Sequence, residues 1–197
     1  MLWIGIDEAG MGTLAGPMTA AVVVIDSEKV PPGVRDSKAL GDESREELAA
    51  KIMDVADYYK VVTRTADKID EVGISKCWLE SIRELAFAAR LMCLPEKPIM
   101  ILDGNRLVGL SYVKPVVKAD ATHLSVGAAS ILAKYTQCCW MDDYHLEYPS
   151  YGFNRHRGYP TPEHAAAIRA HGAVRGLHRV KHVRTVARNR AFSLLWR

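Results

Sequence analysis

Apolar positions recur along the chain with two periods, near two and near 3.6, and these divide it into strands and helices. Positions 2–6 are short and apolar, and positions 18–25 form a β-branched run, so both predict strands. Between them, positions 9–17 make a loop of small residues containing Gly10, Gly12 and Gly16, and Pro31-Pro32-Gly33 breaks the chain again. Positions 42–56 predict a helix with Leu48, Ile52, Met53 and Ala56 on one face, followed by a strand over 58–65. The clearest helix spans 74–92, where Ile74, Trp78, Ile82, Leu85, Ala89 and Met92 recur at three- and four-residue steps. Positions 98–102 predict a short buried strand ending at Asp103-Gly104, and 113–117 another that leads to Asp120. Positions 124–140 predict a helix with Ala, Ser and Gly on one side, small enough to approach a sheet closely. Thr161 suits a helix N-cap, Pro162 the first helical position and Gly172 the stop. A weaker apolar stripe follows through Val180, Val183, Ala187, Ala191 and Leu194. A strand meander that gives way to alternating strands and helices predicts an α/β fold, a mixed sheet flanked by helices, with a small C-terminal helical appendage. The expected division is a domain over 1–141 and a basic helical appendage over 142–197.

Composition adds limits. A chain of 197 residues can bury a core without disulfides or structural metal. No apolar run reaches membrane-spanning length, and Asp7 arrives too early for a signal peptide, so the expectation is a cytoplasmic protein with no membrane partner. The cysteines, Cys77, Cys93, Cys138 and Cys139, form no C-x-x-C pair, and the vicinal pair reads as helix residues rather than a redox device. Charge is uneven. Positions 154–197 carry ten lysines and arginines against one acid, Glu163, whereas the rest carries sixteen against twenty-two. A basic tail on an acidic body suits a polyanion such as nucleic acid, and equally a solvated helix face.

Candidate chemistry lies in the acids. Asp7 and Glu8 follow the first strand, Asp103 follows Ile99-Met100-Ile101-Leu102, and Asp120 follows Val116-Val117-Lys118-Ala119. Strand ends on one rim of a sheet converge in space, and clustered carboxylates repel unless a cation sits among them. Hard divalent ions such as Mg²⁺ are held in this way, and two of them suit phosphodiester hydrolysis. Any one of these acids alone reads more readily as a turn former or helix cap; four at strand ends together do not. Gly10-Met11-Gly12-Thr13 directly follows the acidic pair, and glycines let backbone amides approach phosphate or sugar.

Read together and in order, these segments resemble the ribonuclease HII family. GIDEAGMGTLAGPMTAAVVV (5–24) is similar to its opening motif and Asp36-Ser37-Lys38-Ala39-Leu40 to its DSK-x-L. Leu102-Asp103-Gly104-Asn105 is similar to its D-G motif, and Ala119-Asp120-Ala121 with SVGAASILAK (125–134) to its fourth acid and helix. Tyr151-Gly152-Phe153, His156, Gly158-Tyr159-Pro160-Thr161, His171-Gly172 and His178-Arg179 complete the series. The resemblance implies a ribonuclease H-like fold and an endonuclease that cuts the RNA strand of RNA–DNA hybrids and of duplex DNA containing ribonucleotides. It implies two divalent ions, Mg²⁺ or Mn²⁺, on Asp7, Glu8, Asp103 and Asp120, and products with 5′-phosphate and 3′-hydroxyl ends. Gly10, Met11 and Gly12 would read the ribose 2′-hydroxyl through loop amides, and Tyr159 would pack on the following deoxyribose. Lys38 would lie near backbone phosphates, and Ser37 either contacts substrate or shapes the turn. Arg179, with Lys181, Arg184 and Arg188, is expected to meet phosphates, and the protein to act as a monomer.

Three departures from the family pattern stand out. The loop has Met11 where the family has Arg or Lys, Gln137-Cys138 replaces an Arg-Asp pair, and the ending reads His178-Arg179-Val180-Lys181-His182. The alternatives are a relative that binds hybrids with weak or no cleavage, and another nuclease on the same fold. His178 and His182 have H-x-x-x-H spacing but lack the glutamate and third ligand of a zinc site.

Overall fold

The computed structural model describes residues 2–34, 41–95 and 98–188. Five strands, β1 (Leu2–Ala9), β2 (Met18–Asp26), β3 (Tyr58–Arg64), β4 (Met100–Asp103) and β5 (Val113–Val116), form one sheet in the order β3-β2-β1-β4-β5. β1 runs antiparallel to β2 and parallel to β4, and β4 runs parallel to β5, so the expected mixed sheet is present. The helices are α1 (Asp42–Val55), α2 (Ala66–Val72), α3 (Ile74–Met92), α4 (Ala119–Thr122), α5 (Leu124–Glu147), α6 (Phe153–His156), α7 (Pro162–His171) and α8 (Val180–Arg188). Among the described residues no helix is long and apolar enough to cross a membrane.

The chain forms two compact units. The first comprises Met1–Ala9, Thr19–Thr63 and Trp78–Thr136, and the second Gly10–Met18, Arg64–Cys77 and Gln137–Arg197.

In the first unit the sheet is covered on both faces, which is why β2 reads as a continuous apolar run, buried from Met18 to Ile25. Ala21, Val23 and Ile25 pack with Leu48, Ala49 and Ile52 of α1 and with Ala128, Ala129, Ile131 and Leu132 of α5. The small residues of α5 permit this close approach. A Cβ on Gly5 would lie 2.2 Å from the backbone of Ser125, and the Thr19 hydroxyl donates to the Ala133 carbonyl at 2.7 Å. The antiparallel register sets Gly5 against Val23 and Asp7 against Ala21. Residues paired in this way share a face, so Asp7 looks toward α5 and Ile4 and Ile6 look to the other side. α3 spans the expected residues and buries Trp78, Ile82, Leu85 and Ala89, whereas Met92, expected on its apolar stripe, is exposed.

The second unit has its own core of Leu14, Ala15, Met141, Tyr151, Phe153, Ile168, Leu177 and Val183. α7 begins and ends as its punctuation predicts: Thr161 Oγ1 accepts from the His164 amide at 3.2 Å, Pro162 opens the helix, and Gly172 closes it at φ 83°. α8 takes its cap from far away in sequence. The amides of Val180 and Lys181 donate to the two carboxylate oxygens of Asp70, at 2.7 and 3.2 Å. The loop after β1 is stitched into this unit by Leu14 N–H to Gly158 O, Gly16 N–H to Leu177 O and Arg179 N–H to Leu14 O, each 2.7–2.8 Å.

Candidate active site

All four acids belong to the first unit, but two local details differ from the sequence expectation. Asp7 and Glu8 lie inside β1, which continues to Ala9, rather than beyond its end. Asp120 lies past β5, in the first turn of α4. The reason for the first is pairing: β2 supplies partners up to Ala9, so the ladder does not stop where the apolar run stops. Asp103 is the last residue of β4, and the parallel register pairs Ile6 with Leu102. The next residues, Asp7 and Asp103, are therefore neighbours across the two strands. Asp103 also fixes the turn that carries Asp120. Its Oδ1 accepts from the Ala119 amide at 2.7 Å, and Lys118 adopts a left-handed backbone, φ 56°, to enter α4.

Crowding and burial shape the electrostatics here. The Asp7 carboxyl is pushed up to about 8, chiefly by burial and further by the charges of Glu8 and Asp103. Hydrogen bonds from Ser130 and, at 2.8 Å, the Glu8 amide pull the other way. Glu8 is also raised, mainly by burial, and Asp103 adds to the shift; the Trp78 indole and the Arg106 charge oppose it. Arg106 lies over the Trp78 ring at 4.1 Å. Trp78, Arg106 and Ser130 lie beside these acids but were not singled out from the sequence, Trp78 because its spacing marked it as core. Arg106, a cation directly after Asp103-Gly104-Asn105, was the available signal.

This donor set fits a hard divalent cation. It consists of carboxylate oxygens that repel one another, and among the described residues Glu8 Oε2 is buried with no hydrogen-bond partner. Among the described residues no three acidic, histidine or cysteine side chains already stand in a ligand geometry, so holding an ion calls for rotation of these side chains.

The expected recognition residues lie in the second unit, except Ser37 and Lys38, which lie outside the described residues. Gly10 has φ +80°, and a Cβ there would stand 2.7 Å from the Pro17 carbonyl, so the turn requires glycine. Gly12 is exposed, and a Cβ there would meet nothing within 4 Å. Met11 is half-buried and Tyr159 is 40% exposed. Gln137 is buried beneath Gly10 and donates to the Arg157 carbonyl at 3.0 Å. Arg179 differs from expectation. It is fully buried, with Nε on the Gly16 carbonyl and Nη1 on the Met11 carbonyl, each at 3.1 Å, so its guanidinium is directed at the loop and not at solvent. Lys181 donates to the Asp70 carbonyl.

Behind Tyr159 lies a set of buried histidines whose protonation the backbone dictates. The Tyr159 carbonyl only accepts, so His164 Nδ1 donates to it, at 2.9 Å. The Val174 amide only donates, so His178 Nδ1 accepts, at 3.1 Å. His178 Nε2–H then donates to His164 Nε2 at 3.3 Å. His156 accepts from the Gly158 amide and donates to the Tyr151 carbonyl. The nitrogens of His178, and Nδ1 of His182 on the Thr13 carbonyl, are thus engaged within the protein.

Burial and mutual proximity favour neutral rings and hold His164 down to about 3 and His178 down to about 4. Both folded values lie below the unfolded value of about 6.5. This contribution to stability is therefore complete above pH 6.5 and is lost as pH falls, through proton uptake by the unfolded chain. We expect the unfolding free energy to drop steeply between pH 6.5 and 4, by up to about 1.4 kcal/mol per pH unit for each histidine, and the melting temperature to fall with it. His164→Leu should flatten that slope, and an unchanged slope in calorimetry would reject the neutral relay.

A family model for ribonuclease HII matches residues 4–186 of the chain. A ribonuclease HII from Polaromonas sp. is 42% identical over 173 residues, covering 87% of this chain and 85% of that protein. Another from Dechloromonas aromatica is 41% identical over 170 residues, covering 86% and 85%. Among solved structures, the ribonuclease H2 from Pyrococcus horikoshii aligns with a TM-score of 0.74 at 26% identity, covering 100% of this chain and 97% of that one.

Proposed function

The chain belongs to the ribonuclease HII family, and from that premise we propose that it cuts the RNA strand of RNA–DNA hybrids, including single ribonucleotides within duplex DNA. The observation that carries the proposal is the carboxylate cluster at the ends of β1 and β4, where burial and the charge of neighbouring Asp103 raise both Asp7 and Glu8, with Asp120 held through Asp103 and Ala119. In this reading all four acids are catalytic and hold two divalent ions, Mg²⁺ or Mn²⁺. Such ions, when bound, supply the charge that activates an attacking water and offsets the developing charge on the leaving oxygen, giving 5′-phosphate and 3′-hydroxyl ends. Asp7 and Asp103 provide adjacent carboxylates, Glu8 a buried oxygen, and Ser130 and the Glu8 amide orient Asp7. Residues 1–141 do the chemistry and 142–197 contribute substrate grip. The protein acts as a cytoplasmic monomer.

Recognition falls to Gly10, Met11, Gly12 and Tyr159, with Ser37 and Lys38 near the phosphates. Gly12 is the informative position, because neither its backbone nor its neighbours demand glycine, which leaves close approach of a ligand as the reason for a bare Cα. Gly12→Ala should melt like the parent, within about 0.5 kcal/mol. It should nevertheless bind a ribonucleotide-containing duplex roughly tenfold more weakly, equivalent to about 1.4 kcal/mol. Gly10→Ala should instead destabilise the fold, by about 1 kcal/mol or more. Equal binding by Gly12→Ala and the parent would remove the loop from recognition.

The function itself is tested by offering duplex DNA with one ribonucleotide, a long RNA–DNA hybrid and plain DNA, each with Mg²⁺ or Mn²⁺. Cleavage of the first two and not the third is expected. Tight binding without cleavage would favour the binding-only relative, and equal cutting of plain DNA would favour a different nuclease.

A further inference from the structure

The expected phosphate ligand Arg179 cannot serve as one from where it lies, and its contacts assign it other work. Its guanidinium is wholly buried, Nη2 included, and two of its donors end on carbonyls of the loop after β1, those of Met11 and Gly16. Its own amide donates to the Leu14 carbonyl, and its neighbour His178 forms a β-bridge with Ala15. His178 also reaches, through His164, the carbonyl of Tyr159, which accepts from the Thr161 amide as well. Arg179 and Tyr159 lie within electrostatic range of each other. One dipeptide thus holds the glycine loop directly on one side and reaches the tyrosine through His164 on the other.

We propose that His178 and Arg179 form a positioning bracket that sets the Gly10–Gly12 loop and Tyr159 at a fixed spacing, so that the ribose reader and the deoxyribose platform act as one ruler. The inference rests on the assignment of those two elements to substrate recognition. Planarity is the physical reason for arginine here. A guanidinium forks rigidly onto two carbonyls at once, whereas an ammonium is a point charge that favours one. Holding the Met11 carbonyl also orients the neighbouring peptide group, whose N–H belongs to Gly12. The histidine pair does the same for Tyr159 without charge, since a protonated ring at either position would lack its acceptor role.

A positioning role and a phosphate contact separate in a salt series. Arg179→Met should raise the KM for a single-ribonucleotide duplex roughly tenfold, as expected for loss of about 1.4 kcal/mol, and lower kcat less. Its preference for that duplex over an all-DNA duplex should shrink by a similar factor. The slope of log affinity against log salt should stay at the parent's value. Arg179→Lys, which keeps the charge and one carbonyl, should resemble the methionine variant more than the parent, and it carries the same test should Arg179→Met not melt cooperatively. His164→Leu and Tyr159→Ala should combine with less than additive effect. A slope lowered by about 0.9 would make Arg179 a phosphate contact, and full rescue by lysine or strict additivity would also overturn the bracket. Should the parent not prefer the ribonucleotide duplex, the reading of the loop and Tyr159 fails and the bracket with it. A parent with the preference, beside variants that keep it in full, overturns the bracket alone.

Discussion

Asp7→Asn and Asp103→Asn should each lower hybrid cleavage by more than about a hundredfold while the protein stays folded, since even residues that only support a metal ligand commonly cost 10–100-fold. The two side chains are neighbours across β1 and β4, and Asp103 adds to the repulsion that Asp7 and Glu8 feel. An amide keeps the shape and one acceptor oxygen but lacks the negative charge that a hard cation requires. The fold should gain where the chemistry loses. Asp7 is buried, so its charged form is costly in the absence of a cation, and Asp7→Asn should melt above the parent in chelator at pH 8. Asp103→Asn is a less pure substitution, because Asp103 Oδ1 also accepts from the Ala119 amide. If its amide oxygen takes that bond, the α4 turn survives. The measurement is single-turnover cleavage across a Mn²⁺ series beside thermal melting in chelator. Near-parental cleavage by either variant at limiting Mn²⁺ would remove that residue from the mechanism.

Met11→Arg should tighten substrate binding, by at most about a hundredfold. A charge-assisted hydrogen bond to phosphate contributes roughly 1.5–3 kcal/mol, less where water reaches it, and tenfold corresponds to about 1.4 kcal/mol. Met11 is only half-buried, and its carbonyl is held by Arg179 whatever side chain stands there. The adjoining Gly12 is exposed. KM on a single-ribonucleotide duplex should fall and the salt slope steepen by about 0.9, with kcat changing less because the acids are untouched. A poorer kcat/KM at both low and high salt would show instead that Met11 packs in support of the loop.

The sequence disclosed elements whose signal is local and left hidden those made by distant partners. α3 and α7 matched their expected bounds because a long apolar period and a Thr-Pro…Gly frame are written in consecutive residues. α2 went unseen: it is short and polar, and its only marks are the Thr65 cap and Gly73 at its end. The loop 10–18 gave no sign that it would pack with residues 158 and 177–179, since backbone bonds across such separations leave no pattern in either segment. The same holds for Arg179. A basic residue in a basic tail reads as solvent-facing, and only its carbonyl partners reveal that it faces inward. The four acids stood out as candidates because their motifs carry them. That Asp103 also caps α4, and so places Asp120, depends on an amide sixteen residues away.

The strand cut and the ends left behind distinguish metal-ion hydrolysis from attack by the ribose itself most directly. A 5′- and 3′-labelled RNA–DNA hybrid, incubated with the protein in Mg²⁺, in Mn²⁺ and in chelator, reports both the strand cut and the ends left. The expected result is cleavage of the RNA strand alone, only with a divalent ion, leaving 5′-phosphate and 3′-hydroxyl ends. Cleavage that persists in chelator, or 2′,3′-cyclic phosphate ends from attack by the ribose itself, would contradict it.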